Sequence, residues 1–193
     1  MDGQFACVLH EDVFAACGFS AGDSISAEQA NELLRQSQER FAREMALRLL
    51  SRRMYARREL FGKLAEPYGE SAAGLAADRM EELGLINDRD YARRFAADAV
   101  NLKNQGSLRI ARALAEKGIS RELIEETLLN QSSDPQPAIA AIVLRKYSRH
   151  LAEENGQGKI MQALARLGWR YDDIREVLRN LQQDEEYYSL QEL

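Results

Sequence analysis

Six arginines fall within the stretch "REMALRLLSRRMYARR", at positions 43, 48, 52, 53, 57 and 58, against one acid, Glu44, before Glu59. On a helix Arg48 and Arg52 share one side, and Arg53 and Arg57 share another. A second basic group follows, with Arg93 and Arg94 after Tyr91 and then Lys103, Arg109, Arg112 and Lys117. Fixed positive charge at this density suits contact with carboxylates or phosphates. The candidate partner-binding or DNA-binding residues are therefore Arg48, Arg52, Arg53, Arg57 and Arg58 in the first group. In the second they are Arg93, Arg94, Lys103, Arg109, Arg112 and Lys117. The competing reading is that these cations pair with Glu44, Glu59 and Glu116 on solvated helix faces.

Covalent chemistry has little to stand on. His10 and His150 sit in no ligand pattern, and no HExxH, CxxC or GxxxxGK[ST] occurs. No serine lies in a nucleophile-elbow sequence. Carboxylates mostly stand beside arginine on helix faces, as in "RELIEE" and "YDDIREVLR". The expectation is a protein that is not an enzyme, with no catalytic residue, no metal and no cofactor. An ATPase or a nuclease is a poor reading.

The formal net charge of −5 hides a segregation. Residues 1–40 hold seven acids against two bases, and residues 184–193 hold four acids and no base. The middle, 41–183, therefore carries 24 bases against 20 acids. A basic middle between acidic ends points to an anionic or mixed-charge partner. There is no apolar run long enough to span a membrane and no signal-peptide pattern, so a cytoplasmic protein is expected. Cys7 and Cys17 read as a reduced pair in that setting.

The elements that must carry these cations are helices. With only 3 Pro and 12 Gly among 193 residues, and much Ala, Leu, Arg and Glu, the composition favours helix. "RIARALAEKGISRELIEETL" (109–128) and "KIMQALARLGWRYDDIREVL" (159–178) match at a spacing of 50 residues, through Ile110/Ile160, Leu114/Leu164, Gly118/Gly168, Ile124/Ile174 and Leu128/Leu178. In each copy, 3–4 spacing makes one apolar helix face, a glycine ends the helix, and a second helix follows. Ser120 is positioned to cap that second helix in the first of these copies. "DRDYARRFAADAVNLK" precedes one copy, with Asn87 or Asp88 as its cap, and "PAIAAIVLRKYSRH", opened by Asp134-Pro135, precedes the other. A looser copy lies upstream. It places Ala46, Leu47, Leu50 and Met54 inward on a first helix, Leu60 and Leu64 on a second, and Leu75, Met80 and Leu83 on a third.

The expected fold is all-α, with tandem three-helix repeats forming an elongated curved array, because units this small share apolar surface with their neighbours. The expected organisation is an N-terminal extension over 1–40, repeats over 41–87, 88–131 and 132–183, and an acidic tail over 184–193. In the extension, "QFACVLH" reads as a short strand after an Asp-Gly turn. A helix then starts at a Ser26 cap and is read as able to run on into the first repeat.

At "ALRLLSRRMYARRELFGKL", "LGLINDRDYARRF", "GSLRIARALAEKGIS" and "KIMQALARLGW" the chain resembles the RecX family of bacterial recombination regulators. The resemblance implies an all-helical fold of tandem three-helix repeats. It also implies a partner, the RecA recombinase in its filament on single-stranded DNA, whose growth and activity such proteins modulate, mostly by inhibition. One departure stands out: where the family opens its second helix with Ser or Thr, this chain has Ala56, which cannot accept from the first-turn amides. The function expected is that of a monomeric RecA modulator in recombination, DNA repair and the SOS response. The alternative is a helical nucleic-acid-binding module acting on single- or double-stranded DNA directly.

Overall fold

Every element in the described residues of the computed structural model is a helix or a turn; these residues are 7–20, 22–131, 134–151, 153 and 155–191, with backbone alone for 184–191. No strand occurs among them. The strand expected over residues 4–10 falls partly outside this set, and Cys7–His10 carry no regular structure. The chain divides into two compact units at Asp88/Arg89.

In the first unit lie α1 (Glu11–Ala16), α2 (Ala27–Leu50), α3 (Arg57–Tyr68) and α4 (Glu70–Glu82). The α2 helix begins at a full capping box: Gln29 N donates to Ser26 Oγ at 3.2 Å, and Ser26 N donates to Gln29 Oε1 at 2.8 Å. It then runs unbroken through position 40, where the extension was read as ending. The helices α2, α3 and α4 close over Leu60, Leu64, Met80, Tyr55 and Ile86. The face of α4 turned to this core is largely alanine: Ala72, Ala73, Ala76 and Ala77 are all buried. Small side chains let its backbone approach its neighbours, and they leave Leu75 and Leu83 about half exposed rather than inward. Leu47 is likewise exposed, because α2 buries the stripe through Ala42 and Ala46 and Leu47 lies one residue round the helix from it. Met54, expected inward on the same helix, lies beyond its end at Leu50 and is exposed too.

The N-terminal segment is tied to α2 by His10, which is 4% exposed. Its backbone amide donates to Ser37 Oγ at 3.1 Å, and its Nδ1 accepts from Asp12 N at 3.2 Å. That leaves the proton on Nε2, which donates to Glu44 Oε1 at 3.0 Å. The ring packs at 5.0 Å from Phe41.

The missing cap at Ala56 is supplied from elsewhere. No side chain of Ala56 serves α3, but Arg57 N donates to Asp88 Oδ1 at 2.8 Å. Asp88, one of the two residues expected to cap the helix that follows, accepts at the start of this one.

The second unit holds the remainder of α5 (Asp88–Asn101), then α6 (Ser107–Glu116), α7 (Arg121–Gln131), α8 (Gln136–Leu151), α9 (Gly156–Arg166) and α10 (Tyr171–Gln191). The two sequence copies share their helix ends. Gly118 and Gly168 have φ of 85° and 90°. Each is followed by an amide, of Ile119 or Trp169, that reaches back to the carbonyl of Leu114 or Leu164 at 3.1 and 3.2 Å. Leu123 N donates to Ser120 Oγ at 3.3 Å, so the cap expected there forms, and Gln136 N donates to Asp134 Oδ1 at 2.9 Å, a bond not among those expected from the sequence. Ile139, Ile142, Val143, Ile160, Leu164, Trp169 and Ile174 make one core for α8, α9 and α10. Leu129, by contrast, is 81% exposed.

A backbone junction joins the two copies. The start of α6 has no side-chain cap. Instead Gly106 N donates to Leu167 O at 2.8 Å and Leu108 N to Gly168 O at 3.1 Å. Arg109 Nη1 adds a bond to Arg166 O at 3.1 Å, and Trp169 Nε1 donates to Asn104 O at 3.0 Å. Amides at the start of one helix thus meet carbonyls at the end of another. The approach requires glycine. A Cβ on Gly106 would stand 2.4 Å from the Gly168 carbonyl, and one on Gly168 2.4 Å from Arg109 Cβ.

Three substitutions test this account by urea denaturation of the full chain. Gly106→Ala is expected to lower the unfolding free energy by about 2–4 kcal/mol, since backbone must move. Gly158→Ala, inside α9 with nothing within 4 Å of the added methyl, is expected to raise it by about 0.5–1 kcal/mol. Equal effects would show that the junction is not close-packed. Asp88→Ala is expected to cost about 1 kcal/mol as a lost cap; no change would mean α3 needs no partner at its start.

Candidate partner-binding site

The first basic group surrounds the passage from α2 to α3, and the structure sorts it. Arg53 is engaged within the fold. Its guanidinium forks onto Glu59, with Nη2 to Oε1 at 3.1 Å and Nη1 to Oε2 at 3.2 Å, and lies 3.6 Å from the centre of the Tyr55 ring. Arg57 crosses to α4, pairing with Asp78 and, through Nε at 3.1 Å, with Glu81. The hydrogen bond to Asp78 is the main cause that raises its pKa further above the ordinary arginine value. These two arginines are fasteners. Arg48, in the last turn of α2, Arg52, in the turn after it, and Arg58, in the first turn of α3, are exposed and make no ion pair among the described residues.

The second group divides as well. Arg93 pairs with Asp90 one turn back at 3.0 Å and lines a cavity of about 490 Å³ beside the Arg89–Glu126 pair. Arg94 is exposed on α5, and Lys117 is half-buried at the C-cap of α6. Lys103, Arg109 and Arg112 come together in another cleft of about 570 Å³. The junction brings a further cation there, Arg166 from the end of α9. Reasoning from local density missed Arg166, because its neighbours in sequence are apolar. The 50-residue echo gave no signal either: it sets Arg166 in the helix-end slot that Glu116, an acid, fills in the preceding copy.

This cleft is not purely basic. Phe95, Leu108, Ala113 and Ala165 supply apolar wall, and Glu116 is its one acid, paired with Arg112 at 3.0 Å. Lys103 Nζ stands 5.9 Å from the Phe95 ring centre, and Tyr91 stacks against the same ring at 6.1 Å. A cleft of this kind can hold anionic groups by charge-assisted hydrogen bonds beside an apolar contact. Among the described residues no group of three or more His, Cys, Asp or Glu could hold a metal ion. No helix among them is long and apolar enough to cross a membrane.

Comparison with known proteins agrees with this architecture. Residues 87–128 match the family model described as "RecX, second three-helix domain". Regulatory protein RecX of Chlorobium phaeobacteroides (strain BS1) is 31% identical over 137 residues, covering 70% of this chain and 89% of that protein. Regulatory protein RecX of Clostridium botulinum (strain Alaska E43 / Type E3) is 28% identical over 193 residues, covering 97% and 90%. The crystal structure of RecX from Lactobacillus salivarius superposes with a TM-score of 0.69 at 25% identity, over 76% of this chain and 97% of that one. With its helical repeats, their shared glycine-ended turns and a relative matched over nearly its whole length, the chain belongs to the RecX family.

Proposed function

We propose that the chain is a non-enzymatic regulator that binds the RecA recombinase in its filament on single-stranded DNA and restrains filament growth, ATP turnover and strand exchange. The observation that carries this reading is the match to proteins named Regulatory protein RecX across almost their full length. The repeats over 41–87, 88–131 and 132–183 would act as successive contact units of a monomer working in the cytoplasm. Several weak contacts carried on one chain gain effective concentration, so none needs to be strong alone. Trapping neighbouring recombinase subunits in one arrangement opposes both turnover and addition at the filament end.

The sorting of the arginines supports the same reading. Cations engaged within the fold hold helices together, while Arg48, Arg52 and Arg58 remain available to an acidic partner surface or to strand phosphates.

The direct test measures recombinase ATPase on single-stranded DNA while this protein is titrated in. Turnover should fall as the protein is added, and an unchanged rate at several-fold excess overturns the reading. In the same assay, Arg48→Glu/Arg52→Glu/Arg58→Glu should require about tenfold more protein for the same inhibition, with the thermal midpoint unchanged. Arg57→Ala should behave oppositely. It should lower the unfolding free energy by up to about 1 kcal/mol, solvent screening keeping the loss small, and leave inhibition intact.

A further inference from the structure

The cleft at the start of α6 combines two features that together narrow its occupant. Its charge is strongly one-sided: Lys103, Arg109, Arg112 and Arg166 face a single acid, Glu116. The Arg112–Glu116 pair is open to solvent, with side chains 83% and 65% exposed, so exchanging Glu116 for an incoming carboxylate costs little. Arg109 is held by its bond to Arg166 O, which leaves the other donors of its guanidinium free in a fixed orientation.

The second feature is apolar surface of the wrong kind for nucleic acid. Sites for single strands pair a basic track with aromatic faces on which bases stack. Here the one lining ring, Phe95, is already stacked with Tyr91 and topped by the Lys103 ammonium. The rest of the apolar lining is aliphatic, led by Leu108, which is 59% exposed. An exposed leucine amid four cations matches a peptide that alternates carboxylates with an apolar side chain.

We propose that this cleft takes an acidic peptide segment of a partner protein, an apolar side chain seated on Leu108 and the neighbouring alanines, with flanking carboxylates on Lys103, Arg109, Arg112 and Arg166. The assignment rests on the reading of the chain as a protein-binding regulator, and it names the chemistry of one contact. The aliphatic seat sets register, and the cations set charge preference and rate of encounter.

The test is fluorescence anisotropy of the full chain with a short fluorescein-labelled peptide holding one Leu between runs of Glu and Asp. Arg112→Glu is expected to weaken binding about tenfold, and Glu116→Lys to strengthen it a few-fold. Leu108→Gln is expected to weaken it about fivefold with no change in charge. Thermal unfolding of each variant checks that the fold is kept, and the gain with Glu116→Lys cannot come from misfolding. Binding indifferent to all three substitutions overturns the proposal. So does displacement of the peptide by oligothymidylate together with an inert Leu108→Gln, which would make the cleft a nucleic-acid site. The recombinase ATPase assay keeps the two readings apart. A response to the unaltered chain without peptide binding sinks the cleft assignment alone. Peptide binding without an ATPase response supports the cleft and overturns the recombinase reading.

Discussion

An α-helix leaves its first amides and last carbonyls without partners, and at the starts of α3 and α6 this chain supplies no local side-chain cap. The start of α6 shows the consequence most fully. Gly106 and Leu108 donate to Leu167 and Gly168 at the end of α9, so each helix end answers the other. Leaving these groups unpaired in a buried setting would cost about 1–3 kcal/mol apiece. The cleft of the second unit depends on this contact, because the junction is what carries Arg166 to the three cations of the preceding segment. The start of α3 is served in a similar way, by Asp88 from well beyond the helix. In both places a cap that could have been one residue away is made through tertiary structure, so the helix end is well formed only when its neighbour is in place.

Electrostatics in this molecule concern which charges remain available. The cluster around Arg43–Arg58 looks uniform in one dimension. In three, Arg53 and Arg57 are spent on Glu59, Asp78 and Glu81, while Arg48, Arg52 and Arg58 keep their full field. Exposed ion pairs add little to stability individually. Their larger effect here is to fix orientation: Arg57 ties α3 to α4, and Arg53 covers Tyr55. The chain's net negative charge and its cationic cleft are compatible, since the acids concentrate in residues 1–40 and 184–193, outside the segments that line the cleft.

Packing follows the same division between local and distant. The α4 helix buries alanines rather than leucines, and the segment before α2 is anchored by one buried histidine whose two ring nitrogens have different partners. Neither feature gives a strong apolar signal. Alanine contributes little hydrophobicity to a periodic pattern, and a lone histidine belongs to no motif. Leu75, Leu83 and Leu129 do give that signal, yet they stand in solvent.

What the sequence determined by itself is the local grammar: helices with a 3–4 apolar spacing, the 50-residue echo, the caps at Ser26 and Ser120, and the left-handed stops at Gly118 and Gly168. Each of these is decided by atoms within about one helical turn, so residue type and spacing suffice. Only the tertiary structure decided that α6 is capped by α9, that Asp88 serves α3, that Arg166 joins Lys103, Arg109 and Arg112, and that two of the five foremost arginines are consumed internally. Those outcomes depend on which faces meet when helices pack, and partners that lie tens of residues apart leave no mark in the spacing of either one.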